Sequence, residues 1–557
     1  MTGLLWDTPD SLRRLVCELV SWESHTHTEG ERIFSSKLRD KMLQLDYFQQ
    51  NQEHLSLHDA EGGRHLLTAL YRHPEAVDTV VLISHFDTVA TEEFGDLQPL
   101  ACQPELLTRE LVNRKADLNE EARIDLESGE YLFGRGTMDM KMGLALHMSL
   151  MEKASSAEWP VNLMLVTVPD EEVNSAGMRA AVKVLMKMKQ QFGLHYTLFL
   201  NGEPSFTQKP GDEKHYIYTG TMGKIMPAAL FFGKESHVGE PLSGITAPYI
   251  SSFLTQQMEW NPLFRETELG ESTPLPVSLQ QKDLKGQYST QTPYHAVALY
   301  NVFIMKRSAS QIMDLFEMAA REAALKCNQS YKALCEREHI EGVGEVQVLR
   351  YRDLLNYAEK KLGKELIERV KEEVLKHPEW DEREKSLRTA EQLMVRCKEL
   401  APAIVLLFAP PYYPAVNSSD DPLIIESVQL LKEVSAEFGI QVEQVHYFNG
   451  ICDLSYVNYQ DRSDGWMAFE HNTPIWGTAY SIPFREMFKL QAPVLNVGPF
   501  GKDAHQSTER LHMESAFVQT PAMLEKLIWS ICKRKGSGTG KPSKMENLMD
   551  QSFQESS

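Results

Sequence analysis

Two adjacent acids, Glu171 and Glu172, follow the apolar run NLMLVTV in the stretch NLMLVTVPDEEVNSAG. A continuous run of this kind reads as a strand covered on both faces, and in open α/β sheets ligands bind at the carboxyl ends of such strands. The design recurs: VVLISHFD delivers His85 and Asp87, TLFLNGEP delivers Glu203, and VLNVGPFGKDAHQSTE delivers His505. GRGTMDMKMG adds Asp139. Together His85, Asp139, Glu172, Glu203 and His505 make an imidazole and carboxylate set suited to divalent transition metals. Glu171 is left over, an acid beside a metal ligand and free to take a proton from water. In HFD, Asp87 stands where it would orient the His85 imidazole.

Each residue alone has a blander explanation. A lone His after a strand is usually a hydrogen-bonded structural residue, and paired acids commonly sit at helix N-termini, where the dipole favours them. Five candidate ligands at strand ends or adjoining loops are harder to explain as unrelated accidents. Nucleophilic catalysis has little support. Cys452 has no activating His pair nearby in sequence, and no GxSxG elbow occurs.

The elements that must position these groups point to an α/β fold: a mixed, mainly parallel sheet with flanking helices, plus an inserted smaller α/β domain. At 557 residues the chain exceeds one hydrophobic core. SLRRLVCELVSWES and THTEGERIFSSKLRDKMLQL read as helices, and residues 66–71 and 79–84 as strands. The charge-alternating stretch 104–128 is expected as a surface excursion, a solvated loop or helix. Helices are expected over MGLALHMSLMEKA and residues 177–192. Beyond residue 213 strand signals mix with Gly, and Glu271 to Thr292 reads as a mobile loop. From 351 to 400 apolar residues step by four among charges, which predicts amphipathic helices broken at Pro378. AIVLLFAP is expected to return to the main sheet, with FNGICDLSYV as a pocket wall and ESAFVQTPAMLEKLIWSICKRK as a closing helix. The expected division is 1–212 and 346–535 for the two segments of the main domain, the second carrying the helical insertion. Residues 213–345 form the inserted domain and 536–557 a disordered tail.

These motifs in combination resemble the M20 family of two-metal peptidases and amidohydrolases, over most of the chain, and the GKDAHQSTER ending with the expanded helical insertion resembles its RocB-type arginine-utilisation branch. The resemblance implies that Asp139 bridges two metals, with His85 and Glu203 on one and Glu172 and His505 on the other. It makes Glu171 the general base and residues 213–345 a lid or dimerisation domain. GKESHVGEP matches the segment whose His, here His237, polarises the scissile carbonyl in dimeric members. Many amino-acid-directed members carry an Arg on a lid strand for the substrate carboxylate. Here Phe303 stands near that position, with Arg307 beyond it, and recognition of a free α-carboxylate is left open. Met142, where members often have Gly, is expected to alter packing beneath Asp139.

A formal net charge of -21 argues against binding to nucleic acid or an anionic membrane. Seven scattered cysteines without a CxxC pair, and no signal-like segment near Met1, point to a reducing cytoplasm. The reading is a cytoplasmic hydrolase with two divalent ions, zinc by default and manganese or cobalt acceptable, cutting an amide in a small N-acylated amino acid or short peptide. It carries a link to arginine or citrulline catabolism and a homodimer formed through the lid. The alternative is a catalytically idle metal-binding scaffold acting through its helical insertion, against which the intact Glu171 argues.

Overall fold

A computed structural model describes residues 4–533 apart from 210, 211, 213, 462 and 464. The tail from 536 to 557 lies outside the described residues. Thirteen strands build the two principal sheets: β1 Leu55–Asp59, β2 His65–Tyr71, β3 Asp78–His85, β4 Asn162–Val168, β5 His195–Asn201, β6 His215–Tyr218, β7 Gly223–Phe232, β8 Val277–Asp283, β9 His295–Ile304, β10 Gln347–Arg350, β11 Ala403–Tyr413, β12 Val442–Val445 and β13 Val494–Asn496.

The main sheet runs β1-β2-β4-β3-β5-β13-β6-β12. Its four neighbours β4, β3, β5 and β13 are parallel to one another, so their carboxyl ends share one edge. Every residue of β4 is buried. Val81, Ile83, Met164 and Val166 face one apolar core with the helix Ala176–Phe192, while Val80, Leu82, Leu163 and Leu165 face another with the helices Pro9–Val20 and Met142–Ser156. Burial on both faces is why these strands read as unbroken apolar runs.

The smaller sheet has the order β8-β9-β7-β11-β10. AIVLLFAP therefore does not rejoin the main sheet: β11 pairs antiparallel with β7, from Ala403 opposite Phe232 onward. A fully buried apolar strand does not reveal which sheet it completes. This sheet runs past the expected boundary at 345, since β10 and β11 both belong to it. The helices Tyr351–Leu362, Lys364–Leu375 and Glu382–Arg396 are thus an excursion between its strands, broken around Pro378 as expected. They bury Leu354, Ala358, Ile367, Val370 and Leu387 against the sheet.

One other expectation is corrected. Within the expected mobile loop, residues 277–283 form β8, an edge strand hydrogen-bonded to β9, whose side chains are half-buried or exposed. The stretch 104–128 takes the helical form of the expected surface excursion: the helices Pro104–Asn113 and Glu120–Ser128 close a small core of Leu107, Leu111, Leu126 and Phe133. Its alternating charges fall on the faces left outside. Among the described residues no helix is long and apolar enough to cross a membrane.

Candidate metal centre

The shared edge of the parallel strands brings the predicted acids and imidazoles together. His85 ends β3, Glu171 and Glu172 follow β4, Glu203 follows β5, and the loop beyond β13 carries His505. Asp139 arrives from the segment Thr137–Lys141, ahead of the helix Met142–Ser156. That helix starts hard against the Glu203 loop. A Cβ at Gly143 would stand 2.3 Å from the Gly202 carbonyl oxygen, so only glycine permits the approach. Met142 is fully buried in the core beside it.

Asp139 divides its carboxylate between the two imidazoles. Its Oδ1 lies 3.2 Å from His85 Nε2, and its Oδ2 lies 3.2 Å from His505 Nε2. His85 Nε2 also stands 3.4 Å from Glu203 Oε1, and His505 Nε2 stands 3.2 Å from Glu172 Oε2. Glu171 is set back, its Oε2 3.9 Å from His85 Nε2. His85 is buried, while His505 is half-exposed and marks the open side.

Several bonds fix this arrangement. The His85 Nδ1 lies 3.1 Å from the backbone carbonyl of Asp87, which can only accept, so Nδ1 carries the proton and Nε2 is left facing the acids. The Asp87 carboxylate is farther away, at 3.5 Å. Its nearer partners are the Glu171 and Glu172 backbone N–H groups at 3.1 and 3.4 Å and the Thr26 hydroxyl at 2.8 Å. Asp87 thus orients the imidazole through its backbone and the acid pair through its side chain. Asp170 has a left-handed backbone (φ 67), unfavourable for a residue with a Cβ. Its side chain offsets that cost by accepting from Arg64 at 2.6 Å and from the Ala176 N–H at 3.0 Å.

Burial holds the Glu171 carboxyl well above the usual carboxylate range, and Asp453, Glu203 and Glu172 push the same way against His85. Burial also pushes Glu203 up to about 7, helped by Asp139. The His505 imidazole rises to about 11 because Asp139 and Glu172 accept its hydrogen bonds. Four acids crowded round two imidazoles repel one another, and cations relieve that repulsion. Ligand atoms of His85, Glu171 and Glu203, and of His85, Asp139 and Glu172, gather within 4.8 Å in two overlapping groups. The donor set fits divalent transition metals.

Residues 81–530 match the model of Peptidase family M20/M25/M40. The chain belongs to this family. It is a metal-dependent hydrolase of the M20 type, with the smaller domain in the place of the family's lid. Among its relatives, protein YqjN of Bacillus subtilis (strain 168) is 40% identical over 541 residues, covering 96% of this chain and 98% of that one. Protein RocB of the same strain is 29% identical over 533 residues, covering 93% and 94%. A tripeptidase from Staphylococcus aureus subsp. aureus Mu50 shares the fold at a TM-score of 0.55 and 13% identity, over 95% of this chain and 100% of that one. The metallo-carboxypeptidase Sso-CP2 from Sulfolobus solfataricus shares it at 0.53 and 11%, over 93% and 98%.

The candidate centre has a cavity of about 350 Å³ lined by Asp139, Glu171, Glu172, Glu203 and His505 together with Lys224, Tyr413, Phe448 and Ile451. Phe448 and Ile451 belong to the FNGICDLSYV loop, which does wall the pocket. Cys452 beside them is buried and its thiol is pushed well above its ordinary pKa by burial, the reverse of an activated nucleophile. His237 is not brought to this cavity. It is exposed on the lid, with its Nδ1 accepting from the Gly239 N–H at 3.1 Å. Phe303 packs with Met222, Met305 and Tyr447, and Arg307 donates to the Leu263 carbonyl at 2.9 Å. Sequence reasoning missed Asp453, buried beside Glu171, although it fell within a loop singled out as pocket wall. It also missed Lys224, for which no signal existed: a lone Lys in a strand is ordinary.

Proposed function

We propose that the protein is a two-metal amide hydrolase acting on a small N-acylated amino acid or short peptide. The division of the Asp139 carboxylate between His85 and His505 carries this reading. One ion would be held by His85, Glu203 and Asp139, and a second by His505, Glu172 and Asp139. Bound there, divalent cations supply Lewis acidity toward a carbonyl oxygen and toward water. Zinc is the default choice, and manganese or cobalt suits the same donors.

The remaining chemistry belongs to the chain. Glu171 is set back from the shared Asp139 carboxylate, 3.9 Å from His85 Nε2, and burial raises its proton affinity above that of an ordinary carboxylate, which suits a general base. It takes the proton of the attacking water and passes it to the leaving nitrogen. Asp87 holds the Glu171 backbone in place for that transfer. His237 stabilises the oxyanion from the lid of a partner chain, which agrees with its absence from the cavity of its own chain. The resemblance of the sequence to the RocB-type arginine-utilisation branch supports a substrate linked to arginine or citrulline breakdown, and the compartment we assign is the cytoplasm.

The test is hydrolysis of N-acyl amino acids and dipeptides by metal-loaded protein, read by product identity. Release of a free amino acid supports the reading, and a panel left wholly uncut contradicts it.

A further inference from the structure

A cavity of about 790 Å³ opens off the metal centre and shares Glu172, Val173 and Lys224 with it as a common wall. Its far side is Trp380, just before the last insertion helix, and Arg383 in that helix's first turn, and its apolar lining is Met226, Leu279 and Leu299 from the lid sheet. The insertion is fastened where it matters. Asn174, two residues past Glu172, donates to Glu382 Oε2 at 2.9 Å, and Lys282 Nζ meets Glu384 at 2.8 Å.

The charges along this cavity are mostly answered. Lys282 has Glu384, and Arg383 Nε shares Asp381 at 2.9 Å. Lys224 differs: it is half-buried, and among the described residues no carboxylate lies within ion-pair distance of its ammonium. The charges that bear on it are Arg383 from the insertion and Glu171 from the metal centre. In register it lies opposite both Phe303 and Tyr413, and the Tyr413 hydroxyl donates to the Glu171 carbonyl at 3.3 Å. A partly desolvated ammonium without a counter-ion is costly, and a ligand carboxylate removes that cost.

We propose that the helical insertion completes a substrate compartment in which Lys224 and Arg383 bind a free carboxylate, with an apolar body lying between that carboxylate and the scissile amide. The inference rests on the hydrolase reading above, and it gives the insertion a role in substrate selection.

The probes are N-acetyl-leucine, alanyl-leucine and the carboxamide of each. Binding is measured by calorimetry on metal-loaded Glu171→Gln protein, which does not consume them, with and without Lys224→Gln or Arg383→Gln. Arg383 is half-buried and belongs to no apolar core, so its substitution leaves the packing of the insertion intact. At least one acid is expected to bind about tenfold or more tightly than its amide, the gain of a charge-assisted hydrogen bond. Each substitution should remove most of that preference while binding of the amide changes little. A preference confined to N-acetyl-leucine assigns the compartment to acylated amino acids, and one confined to alanyl-leucine assigns it to peptides. Equal binding of acid and amide, no binding of either, or a preference that survives both substitutions overturns the proposal. Turnover by wild-type protein is scored separately: an acid preference without cleavage of any probe overturns the hydrolase reading and leaves the compartment standing.

Discussion

Asp125 holds Arg510 from 385 positions away in the chain, its Oδ2 2.6 Å from Arg510 Nε. Both are buried, and the same carboxylate meets Lys502 Nζ at 2.9 Å. Lys502 and Arg510 flank the loop that carries His505, so a helix from the N-terminal third sets the position of a C-terminal metal-site residue.

Asp125→Ala should therefore act in two ways. Arg510 keeps Asp503 and, at 3.9 Å, Glu121, so the loss should fall below the about 3 to 5 kcal/mol of a buried charge left wholly unpaired. Denaturant unfolding measures that loss. Metal titration should show the His505 half of the site weakened more than the His85 half. Equal weakening would mean that the clamp does not position His505.

His147 gives a pH signature. It is fully buried on the helix Met142–Ser156, beneath Gly202, and burial lowers its pKa from 6.5 to about 3. The unfolded chain takes up a proton below 6.5 that the folded chain refuses. Its stability contribution is whole above 6.5 and falls away as pH drops toward 3, at most about 1.4 kcal/mol per pH unit. His147→Leu should flatten the fall in unfolding free energy between pH 6.5 and 4.5. An unchanged slope would show that His147 takes up its proton in the folded state.

His237→Ala should lower kcat by about a hundredfold with metal content unchanged, since one oxyanion donor is worth that much or more. His237 stands outside the cavity of its own chain, and on the proposed reading a partner chain supplies the group. Mixing inactive Glu171→Gln and His237→Ala chains should restore activity, because one site in a mixed dimer then has both groups. Mixed dimers, verified by differential tags, that stay inactive would exclude the arrangement.

Chelation should abolish turnover and leave the helical circular dichroism in place. The two large cores beneath the site owe nothing to its ligands, so only the acid-bearing loops should loosen as their charges repel. Loss of most helical signal on chelation would contradict this.

Much of the candidate site was legible because His85, Glu172, Glu203 and His505 lie at or beyond the ends of buried strands, where burial on both faces writes an unbroken apolar run that ends at one edge. The same property hid the sheet to which Ala403–Tyr413 belongs, since a strand apolar on both faces carries no mark of its partner. Val277–Asp283 was unreadable for the opposite reason: an edge strand with exposed side chains needs no apolar pattern. Asp125 and Asn174 were beyond reach because their partners, Arg510 and Glu382, are joined to them by the fold alone.

The most direct test compares metal content and turnover in Glu171→Gln and Asp139→Asn. Glu171→Gln should keep both ions and lose turnover by about a hundredfold or more, because it removes a base and no ligand. Asp139→Asn, altered at the carboxylate between the two imidazoles, should fail to hold two ions. Metal loss from Glu171→Gln, with Asp139→Asn retaining two ions per chain, would contradict the account.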